Sequence, residues 1–302
     1  MPPWRRTRTE VRQYGLPGTP GRPRFLEHCN MDFSSWIGRT EVCDDNLDPG
    51  HAQRVAWSLD EPWGRPEALP LLWHWAFFIH GEPYARLGRD GHPQQDAFLP
   101  PAGDRSRMWA GGRVRFHEPL AVGRPAQRVS RIADIVEKTG RSGLLQFMTV
   151  VHEYTQGGIL RITEEQDIVY RDPASPVLQG TKPAPVAMWS RAVMPDPVLL
   201  FRYSAVTFNG HRIHYDDRYV REVEGYPGLV VHGPLIATMM VRAFTQAQPD
   251  LTVQSLSYRG LRPLIAPHAF QVGGCLQDGG TAQLWAEQDG MLAHQGEIRF
   301  TE

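Results

Sequence analysis

The sequence predicts an α+β fold built by internal duplication. A dense apolar run followed by a series of strand-like segments occurs twice along the chain. The two copies also share a local signature: Arg115-Phe116-His117-Glu118-Pro119-Leu120 corresponds to Tyr258-Arg259-Gly260-Leu261-Arg262-Pro263-Leu264. A length of 302 residues, about twice that of a typical domain, agrees with this.

Residues 1–30 stand apart. They hold six of the 32 basic residues, two of the 33 acids and five prolines, with no helical or alternating apolar pattern. An apolar signal core is missing there, so the segment reads as a disordered extension or an upstream start, with Met31 opening the folded part. The N-terminal half then spans 31–171. In it, Leu69-Pro70-Leu71-Leu72-Trp73-His74-Trp75-Ala76-Phe77-Phe78 is apolar, free of glycine and predicted to form a buried helix. Residues 80–105, rich in Gly, Pro and Asp, read as a long loop, a candidate lid or substrate-contacting element. Strands are predicted around 129–132, 144–151 and 168–170, with a turn at 139–143. Four prolines mark 172–185 as a linker. In the C-terminal half, 186–302, an apolar helix starts at Gly233-Pro234, where a proline costs no hydrogen bond. Strands are predicted at 252–258, 269–276, 281–286 and 295–300.

Composition narrows the function. The chain is 41% apolar and 22% charged with a net charge of −1, so it offers no general attraction to nucleic acid or an anionic membrane. No apolar stretch approaches the roughly 18 residues of a membrane helix. Cys29, Cys43 and Cys275 are odd in number and far apart, which argues against a disulfide framework and points to a reducing, cytoplasmic setting.

The chemistry-bearing residues crowd into 201–234. Asn209, His211, His214 and His232 stand close together, and Gly233 opens the apolar helix. Histidine both takes and gives a proton near neutral pH. The first N–H groups of a helix, at its positive dipole end, favour a developing oxyanion. Together they suit chemistry on a carbonyl or thioester. His211-x-x-His214 has no cysteine or Glu-x-x-His partner, so no metal site is expected. Ser204 lacks a G-x-S-x-G elbow, and no G-x-G-x-x-G dinucleotide loop follows a strand.

Thr207-Phe208-Asn209-Gly210-His211-Arg212-Ile213-His214-Tyr215-Asp216, followed by Glu224-Gly225-Tyr226-Pro227-Gly228-Leu229-Val230-Val231-His232-Gly233-Pro234-Leu235, resembles the MaoC-like/hydratase-2 superfamily. Within it the chain is most similar to the mesaconyl-C4-CoA (3-methylfumaryl-CoA) hydratase group and its relatives acting on itaconyl-CoA. Phe98-Leu99-Pro100-Pro101, Arg107-Met108-Trp109-Ala110-Gly111-Gly112-Arg113 and Glu164-Glu165-Gln166-Asp167-Ile168-Val169-Tyr170 add to the resemblance, which spans roughly 31–300.

The resemblance implies a double hotdog, two helix-wrapped antiparallel sheets, and hydration of a short branched unsaturated dicarboxylic acyl-CoA to citramalyl-CoA. It implies no cofactor beyond the CoA of the substrate, and a homo-oligomer as the assembly. The family motif is D-x-N-P-x-H, whose Asp and His do the acid–base work. Here the His falls on His214 and the Asp on Asn209, an amide that cannot exchange a proton. His214 is then the base on a water held with Asn209, and His211 or Asp216 is a candidate second acid or base. Gly233, beside His232, is the candidate oxyanion donor, and Arg212 and Arg113 are candidates for holding a free carboxylate. The first half carries no such motif, so one active site per chain is expected. Itaconyl-CoA and mesaconyl-C4-CoA both remain open as substrates, as do a fatty-acid-type dehydratase and a hotdog thioesterase.

Overall fold

A computed structural model describes residues 33–302 other than 65, 95–97, 104, 141 and 142. The reading of residues 1–30, and Cys29 with it, lies outside the described residues. The first half contributes β1 (Thr40–Asp45), α1 (Pro49–Ser58), β2 (Ser106–Phe116), β3 (Ala126–Gly140), β4 (Gly143–Gln156) and β5 (Ile159–Arg171). From the second come β6 (Trp189–Val193), α2 (Pro197–Val206), α3 (Asp217–Glu222), α4 (Gly233–Ala247), β7 (Thr252–Gly260), β8 (Phe270–Gln277), β9 (Thr281–Gln288) and β10 (Met291–Thr301). All ladders are antiparallel and form a single sheet in the order β1-β3-β4-β5-β2-β7-β10-β9-β8-β6. That order is palindromic: substituting β6–β10 for β1–β5 returns the same sequence of strands. The two expected sheets are therefore fused edge to edge through β2 and β7, from Gly111↔Arg259 to Arg115↔Ser255.

The duplication extends to hydrogen bonds. Both α1 and α2 open on Asp-Pro, with Asp48 accepting from His51 N–H at 2.6 Å and Asp196 accepting from Leu199 N–H at 2.8 Å. Each capping carboxylate satisfies one otherwise orphaned N–H, and the proline sits where its missing donor costs nothing. Each helix is followed by a left-handed residue, Asp60 (φ 54°) and Phe208 (φ 51°). After these, Glu61 donates to the Ala56 carbonyl and Asn209 to the Ser204 carbonyl, at 2.9 and 2.8 Å. Leu69 N–H meets the Leu120 carbonyl just as Val231 N–H meets that of Leu264, at 2.8 and 2.9 Å. The apolar runs noted in the sequence thus occupy equivalent places.

Beyond that point the halves diverge. In the second, α4 runs 15 residues and lies against β6, β8, β9 and β10, burying Leu235, Ile236, Met240 and Phe244 completely or nearly so. Each such side chain is worth about 1.5–3 kcal/mol of burial. In the first, the helix predicted over Leu69–Phe78 does not form. Leu72 turns left-handed (φ 67°), a single 3-10 turn spans Trp73–Ala76, and Phe78 turns left-handed again (φ 53°). The reason is tertiary. His74 Nε2 and Trp75 Nε1 both donate to Glu164, at 3.2 and 2.8 Å. Neighbouring residues of an α-helix point about 100° apart and do not face one partner. The face of β4 and β5 that a helix would cover is left to line a cavity.

Candidate active site

The chain leaves α2 through Thr207, whose hydroxyl bonds back to the Tyr203 carbonyl at 2.7 Å, and turns at Phe208. Asn209 Oδ1 then accepts the His211 N–H at 2.9 Å, a local side-chain turn that sets the direction of the segment. Residues Arg212–His214 form a 3-10 turn, and Asp216 caps α3 by accepting from Tyr219 N–H at 3.0 Å. The return segment 229–231 pairs with 264–266 and delivers the chain to Gly233, the start of α4, which no side chain caps.

His214 is 7% exposed. Its Nδ1 lies 2.7 Å from the Val230 carbonyl, which can only accept, so the hydrogen is on Nδ1 and the lone pair on Nε2. Burial, helped by the neighbouring His211, pushes its pKa down to about 3 and keeps the ring neutral at pH 7. The His232 ring stacks on it at 3.7 Å and 18°, anchored by a 2.8 Å hydrogen bond between its Nε2 and Ser204 Oγ. His214, Asn209, His211 and Gly233 all line one cavity of about 610 Å³. A neutral base and an uncapped helix start therefore face the same space.

The two arginines proposed for a carboxylate do not reach that space. Arg113 is held on the sheet surface by Glu165 (2.7 Å) and both oxygens of Asp167 (2.9 Å each). Arg212 bonds Asp216 (3.0 and 2.6 Å) and the Arg89 carbonyl (3.0 Å), with its guanidinium over Tyr219. Asp216 is in turn spent on Arg212 and on capping α3. Guanidinium-bearing residues do line the cavity elsewhere. Arg107 and Arg171 do so beside His211, and the Arg171 Nε is buried without a protein partner.

Two further groups were given no role from sequence, His92 on the cavity wall and Glu164 behind it. Residues 88–92 of the long first-half loop bring His92 against His211, with ring centres 4.2 Å apart. Glu164 is fully buried and accepts from His74, Trp75, Tyr154 and Gln166 at 2.8–3.2 Å. Burial alone would raise its carboxyl; the donors, His74 foremost, outweigh it and hold the pKa at about 2. The motif spacing that exposed His214 has no counterpart for these residues, because His92 meets His211, and Glu164 meets His74 and Trp75, only across long stretches of sequence.

Burial holds five histidines down: His211 and His214 at about 3, His152 and His294 at about 4, and His232 well below the usual value. On unfolding each regains a pKa near 6.5 and binds a proton below it. The unfolded state then holds more protons, so stability is full above about pH 6.5 and is lost progressively as pH falls toward 3. Urea titrations at stepped pH should show the midpoint falling continuously between pH 6.5 and 4. A flat midpoint over that range would contradict the neutral, buried histidines.

Residues 72–266 match the family of hydroxyacyl-thioester dehydratase type 2. The chain belongs to this family. Membership in the hydroxyacyl-thioester dehydratase type 2 family makes it a hydro-lyase acting on a thioester. The mesaconyl-C(4)-CoA hydratase of Chloroflexus aurantiacus is 46% identical over 252 residues, covering 80% of this chain and 89% of that protein. The mitochondrial hydroxyacyl-thioester dehydratase type 2 of Schizosaccharomyces pombe is 27% identical over 244 residues, 72% of this chain and 79% of that one. Among solved structures, HtdX of Mycobacterium tuberculosis superposes with a TM-score of 0.64 at 18% identity, over 87% of this chain and all of that one. A MaoC-like dehydratase from Phytophthora capsici gives 0.66 at 13%, over 88% and 96%. These neighbours share the hotdog fold that the family resemblance implied. In the described residues no helix is long and apolar enough to cross a membrane.

Proposed function

We propose that the chain hydrates mesaconyl-C4-CoA to citramalyl-CoA in a reversible reaction that needs no cofactor beyond the substrate's own CoA. The observation that carries this reading is the neutral His214, with its lone pair on Nε2, on the same cavity wall as the uncapped start of α4. The 46% identity to a mesaconyl-C(4)-CoA hydratase supports the choice of substrate.

In this mechanism His214 Nε2 takes a proton from water as its oxygen bonds the β carbon, which carries the methyl group and the free carboxylate. Negative charge passes to the thioester oxygen and is stabilised by the Gly233 N–H at the positive end of α4. Protonation at the α carbon completes the addition. The carboxylate needs a cation beside it, and we assign that role to Arg107 and Arg171 rather than to Arg113 and Arg212, a choice supported by their position on the cavity wall.

The test is to incubate the protein separately with mesaconyl-C4-CoA, itaconyl-CoA and crotonyl-CoA and follow each by mass spectrometry. Gain of one water on mesaconyl-C4-CoA is the expected result. Gain on itaconyl-CoA alone moves the assignment to that isomer, and gain on crotonyl-CoA alone removes the dicarboxylic specificity. Release of free CoA without a hydrated thioester makes the chain a thioesterase and ends this reading.

Asn209→Asp tests the departure from the family motif. The carboxylate keeps an acceptor for the His211 N–H and adds an ionisable group beside His214. Retained or increased kcat is expected; a fall of 10²-fold or more would show that the amide N–H₂ makes a contact that a carboxylate cannot replace.

A further inference from the structure

The motif of this chain supplies one proton acceptor, His214, and an amide where a second proton-transfer group is expected. The first half fills that gap in space. Gly91 (φ 90°) crosses Gly210 so closely that a methyl group on either glycine would collide with the carbonyl oxygen of the other. Only glycine tolerates this approach at that φ. Arg212 N–H donates to the Asp90 carbonyl at 2.9 Å, pinning the loop to the motif. On this mount Asp90 accepts the His92 N–H through Oδ1 at 3.0 Å and its ring Nδ1–H through Oδ2 at 2.8 Å. A carboxylate so placed fixes the ring orientation, leaving Nε2 as the working nitrogen. Burial alone would raise the Asp90 carboxyl, but the contacts with His92 hold it well below the usual range.

The rings of His92, His211 and His214 follow one another at 4.2 and 5.5 Å, and all three line the cavity. We propose that His92, oriented by Asp90, is the second proton-transfer group of the site and delivers the proton to the α carbon. This rests on the hydratase reading and adds to it the source of that proton. In this proposed step the transferred proton is carried on His92 Nε2, while His214 offers its lone pair. A water O–H bond breaks and its proton goes to His214. The water oxygen bonds the β carbon, and the C=C π pair moves onto the α carbon as the thioester enolate. His92 Nε2–H then forms the new C–H bond. The proton left on His214 returns to His92 through His211, which lies between them, so the cycle closes without net change.

Asp90, His92 and His211 also have the composition of a divalent-metal site, with ligand atoms within 4.8 Å of one another. Both Asp90 oxygens are spent on His92, however, leaving two imidazoles where catalytic zinc takes three protein ligands.

The experiment compares the full-length protein with its His92→Gln, His92→Ala and Asp90→Asn variants on mesaconyl-C4-CoA, after thermal unfolding shows which variants fold. His92→Gln is expected to lower kcat by about 10²-fold or more while KM stays within about twofold. The rate of His92→Ala should recover in part on adding imidazole, which a structural role would not produce. Asp90→Asn keeps the shape of its side chain and should lose about tenfold in kcat, without rescue by imidazole. A His92→Gln variant with kcat within about threefold of the parent overturns the proposal. So does a parent that dialysis against a chelator inactivates and Zn²⁺ restores, since those three side chains would then hold a metal. A parent that hydrates none of the three thioesters removes the hydratase reading itself, whereas an active parent with an unimpaired His92→Gln removes only this step.

Discussion

His214→Asn should lose between about 10² and 10⁴ of the hydration rate with little change in fold. The Asn side-chain N–H₂ sits where Nδ1 does and still donates to the Val230 carbonyl, so the 2.7 Å anchor of the segment is kept. What disappears is Nε2, the atom of His214 that carries a lone pair. Steady-state kinetics on mesaconyl-C4-CoA provide the measurement, with thermal unfolding as the control for folding. A variant that unfolds like the parent and turns over at an undiminished rate would take His214 out of the mechanism, leaving His92 or His211 as the base.

Glu164→Ala should cost about 3–5 kcal/mol of stability. The carboxylate is wholly buried and accepts from His74, Trp75, Tyr154 and Gln166, so its removal strands four donors. Guanidinium denaturation reads the loss directly; a change below about 1 kcal/mol would mean that the donors find other partners. The same carboxyl has a pH signature. Its pKa of about 2 lies below that of an unfolded glutamate, so its contribution is full above about pH 4.3 and is lost as pH falls through about 2. This window overlaps the lower part of the histidine-driven one, so the two losses of stability add below about pH 4.3.

The second half was largely legible in the sequence because its signals are local. Gly233-Pro234 marks the start of α4, and the four predicted strands coincide with β7 to β10 within a few residues. In the first half the same kind of reading placed a helix at Leu69–Phe78 and missed α1 at Pro49–Ser58. The α1 signal was present, since Asp48-Pro49 repeats the capping pattern of Asp196-Pro197. The false helix was overridden by Glu164, a partner 90 positions away from His74 that no local pattern reveals. The site divides in the same way. His214, Asn209 and Gly233 come from a contiguous motif and share the cavity, whereas Arg113 and Arg212 carried the right charge at the wrong depth. His92 reaches the motif only because two glycines from opposite halves let their backbones touch.

In an assembly of two identical half-sized chains, every substitution lands twice. Here the palindromic sheet is encoded by one polypeptide, so each position changes alone. Val150 and Ile168, on the strands left bare of a helix, border the cavity, while the corresponding strands of the second half, β9 and β10, lie beneath α4. Enlarging or shrinking the former should reshape the cavity without loosening the core around α4, because the two belong to separate apolar clusters. Cavity shape and the packing beneath α4 are thereby separately heritable traits of the same sheet.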